Sequence, residues 1–155
     1  MRAIERTGLF VMVVLTASLP ITGLAAQGIP LPPGKSFAQN PNLLPGGEFV
    51  VVAGTPGAAG VYATRVRLPA GFKVMPHSHP EDRLYTVLSG TFTIGLGAEM
   101  DSTKLTRLGP GETYVLPAGT VHYHWMVAGG STFQVSGTGP TATTYLRPED
   151  DPRRH

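Results

Sequence analysis

The sequence predicts an all-β fold in a single domain, a sandwich or a barrel. Short runs rich in Val, Thr, Tyr and Phe follow one another from residue 48 to residue 146, and Gly, Pro or Ser-Gly separates them. Beyond the N-terminal segment, no stretch of about ten residues has helical periodicity. The 155 residues suffice for one domain with a real core, but not for two.

Taken in order, residues 1–26 read as a secretory signal. Arg2 and Arg6 give a positive start, Leu9 to Leu19 is an apolar run, Pro20 and Gly23 break it, and Ala25 and Ala26 offer small residues for cleavage. A membrane anchor is the alternative, but the run falls short of the roughly 20 residues a span needs and Pro20 interrupts it. The mature chain is therefore expected to be periplasmic or secreted, with no membrane attachment after cleavage. Residues 27–47 hold Pro30, Pro32, Pro33, Pro41 and Pro45 among several glycines, which predicts an irregular arm and not a helix. Strands are predicted at 48–53, 61–68, 84–88, 91–96, 104–108, 113–116, 121–127, 132–136 and 143–146, within a domain spanning 48–147. Ser89-Gly90 reads as a hairpin turn. The charged tail, 148–155, is expected to be loose.

Composition excludes several function classes. There is no cysteine, so the domain must hold together by its core and cannot use a thiolate as nucleophile or ligand. The formal charge is only +2, and the short basic pair Arg153-Arg154 lies at the extreme end. Nothing supports nucleic-acid binding.

The chemistry-bearing residues lie in two stretches. GFKVMPHSHPEDRLYTVLSG runs from Gly71 to Gly90, and GETYVLPAGTVHYHWM from Gly111 to Met126. His77 and His79 sit two apart in an extended segment, so both imidazoles point to one face. His122 and His124 form a second such pair. Imidazole is the commonest neutral metal ligand near neutral pH, and two such pairs on facing strands make a three- or four-nitrogen pocket. A lone histidine is more often a core or surface residue with a hydrogen-bond partner; the spacing of the group favours shared ligation.

That spacing resembles the cupin superfamily. The first signature is matched by Gly71, five residues, His77, one residue, His79, three residues, position 83, six residues and Gly90. The second is matched by Gly111, five residues, Pro117, Ala118, Gly119, two residues and His122. The resemblance covers about residues 48 to 137 and implies a jelly-roll β-barrel. It further implies one divalent metal ion held by His77, His79 and His122, with iron or manganese ahead of zinc or nickel. Two departures stand out: Arg83 replaces the usual Glu, which removes a ligand, and Met126 replaces a usual Asn.

Arg83 sets the electrostatics. Arginine stays protonated, and two unit charges about 4 Å apart interact by about 4 kcal/mol at an effective dielectric near 20. A dication beside it would be repelled about twice as strongly. Arg83 can swing away and pair with Glu81 or Asp82, stay and hold an anionic substrate in bidentate fashion, or mark a site that binds anions without metal. A bulge could also bring Glu81 or Asp82 to the metal. His124 is a fourth ligand, a proton carrier or a cavity-wall residue. Tyr85 and Gln134 are expected to line the cavity and touch substrate. Tyr123 and Trp125 alternate with the histidines and need cover, which the arm or a second subunit could supply; a homodimer is expected.

The expected function is an exported metal-binding cupin acting on a small, anionic organic molecule by oxygenase-, isomerase- or lyase-type chemistry, with Arg83 and His124 as catalytic candidates. The rival is a non-catalytic small-molecule binding or sensing cupin, metal-free in one form. Fold cannot separate them.

Overall fold

The structure is a computed structural model and describes residues 29–154. The expected signal segment lies outside the described residues. Among the described residues, eleven strands form two antiparallel sheets, and two short 3-10 turns are the sole helix. The strands are β1 (Ala38–Gln39), β2 (Glu48–Ala53), β3 (Gly60–Leu68), β4 (Lys73–Ser78), β5 (Arg83–Gly90), β6 (Phe92–Leu96), β7 (Thr106–Leu108), β8 (Thr113–Leu116), β9 (His122–Trp125), β10 (Ser131–Gly139) and β11 (Thr144–Tyr145). One sheet has the order β1-β2-β3-β10-β5-β8 and the other β11-β4-β9-β6-β7.

Alternation decides which residues face inward. On β3, Tyr62 and Leu68 are buried between exposed Val61 and Arg67, and on β5 Tyr85 and Val87 are buried between more open neighbours. These inward rows meet Phe92 and Ile94 of the other sheet. Phe92 and Phe133, with ring centroids 4.4 Å apart, join the two layers. On β9 the opposite face carries Tyr123, whose ring lies over Gly95, its register partner on β6. A Cβ at Gly95 would fall 2.1 Å from that ring, so only glycine leaves room.

Several expectations need correction. Ser89-Gly90 does not close a hairpin: β5 pairs with β10 and β8, whereas β6 pairs with β7 and β9. Gly90 does turn the chain, with φ +75° and no space for a Cβ against Gly130 O, but the turn carries it from one sheet to the other. Turn residues specify a bend and not the partner of the next strand. β4 falls between the predicted runs; Pro76 sits within it, where the register against β9 slips between Val74 and His77. A proline that cannot donate to a ladder is tolerated at such a bulge.

The arm is ordered along the six-stranded sheet. β1 pairs with β2, the Arg65 guanidinium donates to Ile29 O and Pro30 O at 2.6 and 2.8 Å, and Arg67 stacks on Phe37 at 3.9 Å. Residues 148–154, expected to be loose, form the two 3-10 turns. Asp151 is buried there and accepts from Arg153, which also donates to Thr143 O. Tyr123 needs no partner subunit: it is 1% exposed, and its hydroxyl donates to Asp101 O and accepts from Asp101 N. Trp125 is half-buried with the Lys73 ammonium 4.0 Å over its ring.

Candidate metal centre

His77 on β4 and His122 on β9 are register partners, and their rings lie 4.2 Å apart between centroids. His79 follows two residues after His77, on the same face as expected, with Ser78 turned away. Its ring lies 4.9 Å from that of His77 and 5.1 Å from that of His122. All three are buried, and one ring nitrogen from each falls within 4.8 Å of the others. The turn Pro117-Ala118-Gly119 is tied to this end of the molecule: Gly119 N donates to His79 O, and Ala118 N donates to the Asp82 carboxylate at 2.7 Å. Asp82 is thereby engaged in fixing the turn that feeds His122 into β9, not in ligation.

The proton positions follow from the partners. The Nδ1 atoms of His77, His79 and His122 face the backbone carbonyls of Met75, Ala142 and Thr120 at 2.6, 2.7 and 3.1 Å. A carbonyl only accepts, so each Nδ1 carries the hydrogen and each Nε2 presents a lone pair. His79 Nε2 is buried with no partner, a cost that a bound cation relieves. A metal with bonds of about 2.1 Å holds its nitrogens roughly 3.4 Å apart, and small side-chain rotations from the observed spacing reach that. The residues present therefore fit a divalent metal.

Burial holds all four imidazoles neutral. It lowers His79 to about 2 and His122 to about 4; His77 and His124 are driven well below the ordinary value by the same cause. The Arg83 cation adds to the shift at each ring. Neutral rings favour metal and add no positive charge to Arg83 for holding an anion.

A cavity of about 170 Å³ opens onto this cluster. His77, His79, Arg83, Tyr85 and His124 line it, joined by Tyr62 and Thr141. Tyr85 is buried, its hydroxyl 3.4 Å from His122 Nε2, and burial raises it to about 12. His124 lies deeper, with Nδ1 3.3 Å from Thr93 O and its ring 5.0 Å from Phe92. It is a wall residue outside the three-nitrogen group. Gln134 is a correction. Phe133 and Val135 of β10 take the inward face, so alternation turns Gln134 outward, where its amide donates to Ser136 Oγ at 3.3 Å.

Arg83 pairs with Glu81, the first of the expected outcomes, but without leaving the cavity. It stays on the cavity wall, and its Nε donates to Glu81 Oε1 at 2.8 Å. Its terminal nitrogen donates to Thr141 Oγ1 at 2.5 Å, and Thr141 in turn donates to Glu81 Oε1, as does the Tyr62 hydroxyl. Burial opposes ionisation of Glu81, but the bonds from Thr141 and Tyr62 and the charge of Arg83 outweigh it and hold the carboxyl below its ordinary value. Sequence reasoning missed Tyr62 and Thr141. Tyr62 was marked only by inward parity on β3, and nothing local marked Thr141.

The family model described as "Cupin domain" matches residues 64–133, a stretch that contains all three histidines. The chain carries a cupin domain. This cupin is 33% identical over 72 residues to germin-like protein 4-1 of Oryza sativa subsp. japonica, a match covering 41% of the chain and 28% of that protein. Among solved structures it resembles the DMSP lyase DddQ of Ruegeria pomeroyi, with 25% identity and a TM-score of 0.55 over 65% of this cupin and 52% of that chain. The polyketide cyclase RemF of Streptomyces resistomycificus shares the fold, with 20% identity and a TM-score of 0.62 over 78% and 86% of the two chains. The cupin thus spans well under two thirds of germin-like protein 4-1 and about half of DddQ.

Proposed function

We propose that the chain is an exported, metal-dependent cupin of jelly-roll form, whose histidines His77, His79 and His122 hold one divalent metal, iron or manganese ahead of zinc or nickel. Its substrate is a small organic molecule, of anionic character, that enters the cavity beside Arg83. The carrying observation is three buried imidazoles, each with Nδ1 against a backbone carbonyl and with one ring nitrogen from each within 4.8 Å of the others. A metal held by three protein ligands supplies Lewis acidity or an oxygen-binding centre at its open positions. The chain's own groups do the rest. Arg83 offers guanidinium hydrogens to a carboxylate or phenolate oxygen, Tyr85 places a hydroxyl beside His122, and His124 is the proton-carrying candidate in the wall. Likeness to DddQ supports lyase-type chemistry, alongside the oxygenase and isomerase classes.

Elemental analysis tests the reading. Wild-type protein is expected to carry close to one first-row divalent metal per chain, and His79→Ala, with two ligands left, close to none. Wild type that remains metal-free after incubation with iron, manganese and zinc would overturn it. The second reading, a metal-free binding or sensing module without turnover, is favoured by Arg83 at the position of the usual carboxylate ligand. Carboxylate titration without oxygen consumption or product formation would select it. A homodimer remains part of the proposal, with Trp125 as the aromatic left for a partner.

A further inference from the structure

The Glu81–Arg83 pair differs from the other ion pairs among the described residues. The Arg83 side chain is 13% exposed and that of Glu81 9%, whereas every other pair has a partner at least 42% exposed. Burying such a pair is a poor way to stabilise a fold, because desolvation offsets the attraction. It lies against the cavity wall, within reach of three histidines suited to a dication. Three donors converge on one carboxylate oxygen, from Tyr62, Thr141 and Arg83, and Thr141 bridges the carboxylate to the far end of the guanidinium. The second carboxylate oxygen is buried without a partner, so no other cation draws on it.

We propose that Glu81 is the built-in counter-charge of Arg83, and that Glu81, Thr141 and Tyr62 together fix the guanidinium as half of a neutral pair in the cavity wall. The position that carries a ligand carboxylate in the cupin signature carries a cation here. The carboxylate that answers it, Glu81, stands two residues earlier in the chain, where it pairs with the guanidinium and lies outside the three-nitrogen group. Two consequences follow. Metal binding at the histidines does not work against an uncompensated charge. An anionic substrate receives hydrogen bonds from Arg83, while its charge is answered chiefly by the metal, so the pocket suits ligands with a single acceptor group and not strongly anionic ones. Glu81 is a positioning residue, acting through Arg83.

The test compares wild type, Glu81→Gln and the double variant Glu81→Gln/Arg83→Gln in two measurements. The first is zinc affinity by competition with a chelator, and it rests on the metal reading above. Glu81→Gln is expected to bind zinc about tenfold more weakly, and the double variant to return to near the wild-type value. The second uses metal-free protein and does not rest on that reading: formate should raise the melting temperature of Glu81→Gln, by neutralising the uncompensated guanidinium, and leave wild type and the double variant unchanged. Wild-type zinc affinity in Glu81→Gln overturns the proposal, as does a double variant as weak as the single. So does formate acting alike on all three. If wild type takes up no zinc, the metal reading fails and the formate comparison decides alone. If Glu81→Gln does not fold while the double variant does, the uncompensated charge is confirmed. If neither folds, Glu81 serves as a structural hydrogen-bond acceptor and the proposal falls.

Discussion

Arg83 is the residue whose charge most shapes the site, because every histidine of the cluster feels it and one carboxylate offsets it. Arg83→Glu replaces a cation by an anion next to the three nitrogens. Metal affinity is expected to rise by about 1.4 kcal/mol or more, a factor of ten, even with Glu81 nearby. Equal affinities measured by chelator competition would show that the charge at position 83 is not felt. The histidines themselves carry a pH signature. In metal-free protein His122 is lowered from 6.5 to about 4, and its neighbours move the same way. The unfolded chain then binds more protons than the folded one between about pH 4 and 6.5, so stability rises with pH across that window and is lost on acidification from its upper end. Urea midpoints of the metal-free protein should fall steadily from pH 6.5 to 4.5. A flat profile would mean that the rings are solvated.

At the scale of elements, the two strands that carry the ligands are held by unlike devices. β9 is fixed by its alternation, with His122 and His124 inward and Tyr123 seated on Gly95. β4 reaches the same pocket only because the slip in register at Pro76 lets both Val74 and His77 face inward. The periodicity of two made His77 and His79 legible as one pair and His122 and His124 as another, and the resemblance to the cupin signatures implied that His77, His79 and His122 form a cluster. It also placed Arg83 toward the cavity. It could not assign Gln134, because which face of β10 turns inward is set by Phe133 and Val135 packing against the facing sheet. The arm before β2 was legible as irregular, yet its anchorage was not, since Arg65 meets Ile29 and Pro30 across more than thirty residues of chain. Arg65→Ala removes a charged donor shared by two carbonyls and is expected to cost about 1.5–3 kcal/mol, with proteolysis appearing between residues 29 and 37. Unchanged urea midpoints and an intact arm under protease would refute that anchorage.

For the whole molecule, the bound metal and the assembly state are the measurable consequences. The histidines belong to both β4 and β9, so a metal that binds only the folded state ties these strands together. At a hundredfold excess over its dissociation constant it should add about 2.7 kcal/mol, read as a higher melting temperature that a chelator reverses. A melting temperature indifferent to chelator argues against a metal in the cluster. The expected homodimer has lost part of its basis, because Tyr123 is covered within its own chain. Light scattering should still find a dimer that Trp125→Glu shifts toward monomer without releasing metal; a monomeric wild type at micromolar concentration would refute the dimer.

The sequence by itself determined the all-β class, most strand positions, the irregular arm and the three-histidine cluster. The strands and the arm depend on alternation and composition within a few residues, which local geometry is enough to express, whereas His122 was joined to His77 and His79 by the resemblance to the two cupin signatures. Tertiary structure alone decided that Ser89-Gly90 carries the chain between sheets, that Tyr123 is sealed by the Asp101 loop, and that Arg83 is both in the pocket and neutralised. That last outcome needs Tyr62 and Thr141, one from β3 and the other from the stretch after β10. Charge compensation falls off over a few ångströms, and only folding brings groups so far apart in the chain within that distance.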